Sequence, residues 1–358
     1  MTTKLETPHT GLYIDPETGR RISTNSMLKT FRRCAKQADY KYAQRLKPKT
    51  LGKPLKRGKW FHSVLEWYHT GRDWQEIHAK YCNEFSHMFD EEKEYYGDLP
   101  REIEHIMESY IWHYANDIWV VHQAEVTLET TFPDGTIFRG KADEIVENEF
   151  GLWIVDHKTH AQLPDFAFRL LDTQSPLYVW TARRSKIPVN GFIWNYVRWK
   201  APSVPRLLKD GTRLSKTPCD TDYPTYTTAI KEYKRTNPNF KITKEYVDHA
   251  AYLKSLRYIP GEMQKSTFFR RDVLERTDET LKTVALENYR TSTKMHEYDF
   301  GKPGVERTID RSCSRFCAYS SLCMTELIGG NTDLIRKQNF TIGDPNDYYQ
   351  DEPENSNG

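Results

Sequence analysis

The stretch GLWIVDHKTH, residues 151–160, sets a chemical question. Leu152 to Val155 is an apolar run of strand character, and it ends in Asp156, His157 and Lys158. Alternation along a strand puts Asp156 and Lys158 on one face and His157 on the other. A carboxylate and an ammonium at the mouth of a buried strand are costly unless they are used. The preceding strand, TIFRGKADEIVE, supplies a second carboxylate, Asp143, and Gly140 there allows close backbone approach. The short turn NEFG joins the two strands, so they pair as antiparallel neighbours with Asp143 facing Asp156. Facing carboxylates repel unless a cation sits between them. A hard divalent cation takes oxygen ligands, and Mg2+ keeps several waters as well. Such an ion binds a phosphoryl oxygen, activates water and stabilises a leaving oxygen. A lysine beside it orients or deprotonates the water and offsets transition-state charge. Alone, the D-x-K triplet is a weak signal that a salt bridge at a strand end explains equally well.

Three other groups invite chemistry. His62, in GKWFHSVLEWYH, lies off the apolar stripe Phe61, Val64, Leu65 and Tyr68. With Glu66 and His69 it shares a helix face at i, i+4 and i+7, an alternative metal-binding pattern. LLDTQSPLYVW carries Gln174 and Tyr178. Proline belongs only in a first helical turn, so the helix is expected to start at Ser175–Pro176, with Gln174 just outside. Cys313, Cys317 and Cys323 crowd into CSRFCAYSSLC, and Cys34 lies far upstream. The chain starts without a signal-peptide core, so six cysteines do not read as structural disulfides. Four thiolates suit Zn2+ or an iron–sulfur cluster.

These motifs together resemble the PD-(D/E)XK nuclease superfamily, in its RecB-like branch. The matching residues, in order, are Cys34, Gly58 with His62, Asp143, Asp156-x-Lys158, Gln174 with Tyr178, and the three late cysteines. The resemblance spans about residues 24–328. It implies a metal site of His62, Asp143, Asp156 and the backbone carbonyl of His157, holding Mg2+ or Mn2+. It implies that Lys158 handles the attacking water and that Gln174 and Tyr178 help position the site and a DNA strand. The one-plus-three split of cysteines is similar to the iron–sulfur group of that branch, which includes the CRISPR-associated exonuclease and AddB-type subunits. It implies a [4Fe–4S] cluster on Cys34, Cys313, Cys317 and Cys323, stapling the N-terminal helix to the C-terminal segment. The spacing here is C-x3-C-x5-C where the family has C-x2-C-x5-C. Zn2+ on the same sulfurs is the competing assignment.

The elements that must position these residues follow from pattern. The fold class expected is α/β: a restriction-endonuclease-like mixed sheet flanked by helices, with a helical cap and a cysteine cluster joining the two ends. Residues 1–22 read as an arm, and 23–339 as one nuclease domain. Within it the cap covers about 60–120, the catalytic core about 121–200, and C-terminal helices and cysteines about 220–330. Residues 23–46 read as one helix, capped among Ser23, Thr24, Asn25 and Ser26. Gly52, Pro54 and Gly58 break a basic loop that runs to Lys59. Gly71 is the expected stop of the His62 helix, and two amphipathic helices are expected over 73–120. AEVTLETTF, TIFRGKADEIVE and LWIVDHKT form a β-meander. A helix over 165–185 and the strand VNGFIWNYVRWK follow. Helices are expected over 223–235, 241–257 and 272–294, and residues 340–358 read as a disordered acidic tail.

Composition narrows the partners. Net charge is +2, but Lys41 to Lys59 holds eight basic residues and no acidic one. Arg183 to Lys216 is also basic and includes Trp194 and Trp199. Charge segregated in this way can form a positive groove on a near-neutral protein. With aromatics it could track a single DNA strand, although core packing is the better expectation for the tryptophans. No apolar run approaches a membrane span of about 20 residues, so a cytoplasmic protein, bacterial or in a phage-infected host, is expected. No helicase P-loop accompanies the motifs, so a stand-alone nuclease is expected. It would act on single-stranded DNA or duplex ends, leave 5′-phosphates, and work beside recombination or replication proteins. The rivals are a DNA-binding iron–sulfur protein without cleavage and a zinc-stabilised interaction module.

Overall fold

The computed structural model describes residues 12–343, apart from 51, 118, 209–213 and 216–218. In chain order the elements are β1 (Ile22–Ser23), α1 (Asn25–Arg33), α2 (Ala35–Ala38) with a π-helical turn at Asp39–Ala43, and β2 (Leu46–Pro48). Four helices follow: α3 (Lys53–His69), α4 (Trp74–Ser86), α5 (Asp90–Tyr96) and α6 (Leu99–His113). Then come β3 (Val120–Thr131), β4 (Ile137–Asn148), β5 (Gly151–His160), α7 (Phe166–Leu170), α8 (Gln174–Arg184) and β6 (Gly191–Arg198). The remainder is α9 (Tyr223–Thr236), α10 (Lys244–Ser255), β7 (Phe269–Leu274), α11 (Asp278–His296), α12 (Ser320–Leu327), α13 (Asp333–Asn339) and β8 (Phe340–Ile342).

The meander forms as expected, and it anchors a six-stranded mixed sheet. β4 pairs antiparallel with β3 along one edge. On its other edge it pairs parallel with β1 at Ile137–Phe138 and antiparallel with β5 from Glu144 to Asn148. Between those two partners, residues 139–143 have no ladder pair on that edge among the described residues. The sheet therefore splays where Gly140 and Asp143 lie. β6 joins β5 in parallel, and β7 closes the far side antiparallel to β6. The β5–α7–α8–β6 connection is the crossover that a parallel pair requires.

Alternation gives the sheet two chemically distinct faces. Ile154, Phe192, Trp194 and Tyr196 point to one core, shared with Leu177 and Val179 of α8 and Met27 and Leu28 of α1. Val197 and Phe269 belong to a second core with Trp60, Phe61, Val64 and Leu65 of α3 and Ile103, Ile106 and Tyr110 of α6. Full burial of each such side chain contributes about 1.5–3 kcal/mol. These two cores clamp α8 on one face and α3 on the other, which fixes the helices that carry Gln174 and His62.

Several element expectations are corrected. The run 23–46 is not one helix: Cys34 adopts φ −163° and ψ 113°, so α1 ends there and a new helix starts. The break aims the chain at the C-terminal segment, and the Lys36 N–H bonds Glu306 O at 2.8 Å. Helix α3 begins at Lys53 rather than Lys59, because Pro54 sits in its first turn where no N–H is needed. It stops at Thr70, and Gly71 follows with φ +74°. Three helices, not two, fill 74–113, and 165–185 holds two. The helix expected over 272–294 starts at Asp278, because Phe269–Leu274 is strand β7. At the C-terminus, Phe340–Ile342 is ordered as β8 against β2. The rest of the expected tail, and residues 1–11 of the arm, lie outside the described residues. No helix among those described is long and apolar enough to cross a membrane.

Candidate active site

The splay between β4 and β5 brings the expected residues together. Asp143 Oδ2 accepts the backbone N–H of His157 at 2.6 Å and lies 3.4 Å from His62 Nδ1. That N–H lies past the last β4–β5 ladder pair, Glu144 with Val155, so it is available to a side chain. Helix α3 crosses here, with Gly58 against Thr159 and His62 one turn further on. Asp156 Oδ1 accepts from Gln174 Nε2 at 2.7 Å, while Oδ2 contacts Lys158 Nζ. Asp156 is buried at 2% exposure, whereas the Lys158 side chain is 35% exposed. The carboxylate is thus fixed inside and the ammonium stands at the mouth.

The charges are interdependent. Burial pushes Asp143 up, but the charge and hydrogen bond of His62 outweigh it, and the carboxyl ends well below its usual range. Burial raises Asp156, opposed by Lys158 and reinforced by the Asp143 charge. Burial alone would lower His62 and Lys158, yet both are raised, His62 by Asp143 and Lys158 by Asp156 and then Asp143. Two carboxylates, an imidazole and an ammonium therefore balance one another. This donor set fits a hard divalent cation: two carboxylates that raise each other's cost, plus one imidazole.

Gln174 is inside the helix, as the first residue of α8, and Pro176 fits in the first turn. The expectation that Gln174 lies outside is corrected. Asp172 Oδ2 holds this helix start, accepting the N–H groups of Gln174 and Ser175 at 2.9 Å each. Tyr178, one turn on, is buried at 6% exposure. Its ring occupies the gap along β4: a Cβ at Gly140 would lie 2.8 Å from Tyr178 Cε1. Gly140 is the close approach anticipated for it, and the approaching group is this ring.

The alternative helical triplet of His62, Glu66 and His69 does not form one site, since Glu66 pairs with Arg72 at 2.6 Å. His69 instead joins Glu144 and His157 on the reverse face of the sheet. Among the described residues, these three offer ligand-type atoms all within 4.8 Å of one another. Hydrogen bonding accounts for them. Glu144 meets His69 Nδ1 at 2.9 Å and His157 Nε2 at 3.2 Å. The other nitrogens meet Tyr110 Oη at 3.1 Å and Asn195 Nδ2 at 2.8 Å. Burial would raise Glu144, but the two histidines hold it at about 2, while burial lowers His69. The network is an anionic carboxylate between two imidazole N–H donors. Neither Glu144 nor this role of His69 was anticipated. Strand parity held the signal, since Glu144 and His157 adjoin Asp143 and Asp156 and so must share the opposite face.

The tryptophans follow the packing expectation. Trp194 is buried beneath Lys158, 1% exposed, and offers no platform to a base. Trp199 packs edge-on to Phe61, with the Arg57 guanidinium 3.8 Å from its ring.

The cysteines gather at the break after α1. Cys34 caps that helix, Cys313 and Cys317 lie in the turns before α12, and Cys323 lies within it. Burial raises the Cys317 thiol, and the neighbouring Cys313 and Cys34 raise it further. Arg307 Nε lies 3.3 Å from Cys323 Sγ, and the Asp310 N–H lies 3.5 Å from Cys313 Sγ. All four thiols are free.

A mixed sheet flanked by helices, with carboxylates at a splayed strand pair and a lysine two residues on, is consistent with a restriction-endonuclease-like nuclease fold. The family model of the PD-(D/E)XK nuclease superfamily matches residues 23–324, and the chain belongs to that superfamily. No curated protein matches. Among solved structures, the chain is similar to one titled "Crystal structure of SSO0001", at 11% identity and TM-score 0.29, covering 85% of this chain and 86% of that one. A score that low bears on neither fold nor function.

Proposed function

We propose that this protein is a Mg2+- or Mn2+-dependent deoxyribonuclease acting on single-stranded DNA or duplex ends. The observation that carries the reading is the convergence of Asp143, Asp156, Lys158 and His62 at one splayed strand pair. His62, Asp143, Asp156 and the His157 carbonyl would hold the metal, which when bound supplies Lewis acidity toward a phosphate and an acidified water. The chain's own contributions follow from the geometry. Gln174 orients Asp156, and the His157 N–H and His62 orient Asp143. Tyr178 packs α8 against Gly140 and so holds Gln174 in place. Lys158, half-buried at the mouth beside Asp156, orients the attacking water and offsets negative charge at phosphorus. Partly exposed basic groups near the mouth, including Arg169 stacked on Tyr196 at 4.8 Å and Lys29 paired with Asp172, suit a phosphate backbone. Recombination, repair or end processing is the process such cleavage serves.

The reading includes a [4Fe–4S] cluster on Cys34, Cys313, Cys317 and Cys323. Tetrahedral zinc at about 2.3 Å from each sulfur would require sulfurs about 3.8 Å apart. Cys313 and Cys34 both act on the Cys317 thiol, and Cys317 and Cys323 pack against one apolar cluster, so the four sulfurs share one region. The Arg307 and Asp310 donors to sulfur suit either.

One preparation tests both parts. Anaerobically purified protein should be brown and hold four irons, and should degrade labelled DNA to 5′-phosphate products with Mg2+ or Mn2+ but not with EDTA. Colourless, zinc-loaded protein overturns the cluster. Metal-independent or absent cleavage overturns the nuclease reading, and absent cleavage with retained DNA binding leaves the non-cleaving rival.

A further inference from the structure

We propose that Asn25 is a positioning residue for the metal site, setting which end of the Gln174 amide faces Asp156. The inference rests on Asp156 being a metal ligand, as proposed above. Its physical basis is a directed chain of hydrogen bonds. An ionised carboxylate only accepts, so Gln174 must turn Nε2 toward Asp156 Oδ1, at 2.7 Å. That leaves Gln174 Oε1 pointing away, and the side chain meeting it must donate. Asn25 Nδ2 does so at 3.2 Å. Asn25, Gln174 and Asp156 are all buried, at 6%, 9% and 2% exposure, so bulk solvent has little access to compensate a wrong orientation.

The end of the chain shows that the donor is what matters. Asn25 Oδ1 is buried with no hydrogen-bond partner among the described residues. An apolar residue would remove that unfavourable group but would also remove the donor. Nor is Asn25 there to cap its helix, since Thr24 Oγ1 caps α1 by accepting the Met27 N–H. Helix α1 grips the same site a second time, through Lys29 to Asp172, the residue that holds the first N–H groups of α8. Asn25 and Lys29 lie one turn apart, so the two contacts share a helix face. The helix that ends at Cys34 therefore also sets the polarity of an amide on a metal ligand.

The variants separate this role from packing. Asn25→Leu keeps the branching of the side chain and exchanges the orphan Asn25 Oδ1 for an orphan Gln174 Oε1, so its melting temperature should stay near wild type. Asn25→Asp presents acceptors only, so Gln174 is driven to turn Oε1 toward Asp156. Outer partners of metal ligands typically influence affinity by about 10–100-fold. Mn2+ affinity, measured by titration calorimetry or electron paramagnetic resonance on the full chain, should fall about tenfold in Asn25→Leu, the low end of that range because Asn25 acts one step further out, and further in Asn25→Asp. In a Gln174→Met background, Asn25→Leu should have no further effect, because Asn25 acts through Gln174. Wild-type Mn2+ affinity in both variants, affinity lost only in step with melting temperature, or additive losses in the double variant each overturn the proposal. Failure of the wild type itself to bind Mn2+ in an Asp156-dependent way overturns the metal-site reading instead.

Discussion

Gly140→Ala is the most informative small change outside the charged residues. The new methyl would stand 2.8 Å from Tyr178 Cε1 and 3.0 Å from Cζ. Comfortable carbon contacts lie at about 3.5–4.0 Å, so the ring must retreat by about 0.7 Å or more. The strain is steric, because Gly140 does not occupy the left-handed backbone region. Overpacking of this kind costs about 1–3 kcal/mol. Tyr178 lies one turn from Gln174 on α8, so the retreat also pulls on the 2.7 Å contact to Asp156. A misplacement approaching 1 Å can cost about a hundredfold in rate, so a loss of about 10- to 100-fold in cleavage is expected with a lowered denaturant midpoint. Tyr178→Leu on the same background removes the opposing ring atoms and should recover part of the activity. Wild-type midpoint and rate in Gly140→Ala, or no recovery in the double variant, would refute the steric argument.

Other consequences concern stability. Strand parity places the His157 ring on the face opposite Asp156 and Lys158. That placement holds, but the ring donates to buried Glu144, so His157→Ala should destabilise by about 2–4 kcal/mol in urea melts. The protein that remains folded should still cleave, and a neutral effect on the midpoint would discount the network. Acid should also unfold the protein early. Burial is the main cause that lowers His113 to about 3 and His296 to about 4, both from 6.5. A lowered folded pKa means the unfolded chain binds more protons, so stability drops as pH falls below about 6.5. At pH 5 the loss is about 2 kcal/mol per histidine. Glu144, held at about 2 from 4.5, extends the loss below about pH 4.5. His113→Phe should flatten the decline in melting temperature between pH 7 and 5, and an unchanged slope would count against it.

The catalytic strands were legible because alternation and turn residues both declare the meander. Parity alone placed Asp156 and Lys158 on one face. What stayed hidden was hidden by polarity or by context. Strand β7 contains Arg271 and Asp272, which read as surface residues. In the fold Arg271 is buried against Asp117 at 2.7 Å, and Asp272 against Arg270 at 2.8 Å. The break at Cys34 leaves no mark in the apolar stripe of residues 27–38, because a contact with Glu306, distant in sequence, sets it. Asn25 was visible only as a possible helix cap, since its partner Gln174 is 149 residues away.

In the proposed site Lys158 acts on the reacting water while Asp143 and Asp156 hold the metal. Single-turnover cleavage of labelled DNA at saturating Mg2+ by Lys158→Ala addresses it most directly. A positioned proton-transfer or charge-stabilising group contributes about 10²–10⁴ in rate. A loss of that size is expected, with DNA binding and melting temperature near wild type. Cleavage by Lys158→Ala at the wild-type rate would contradict it.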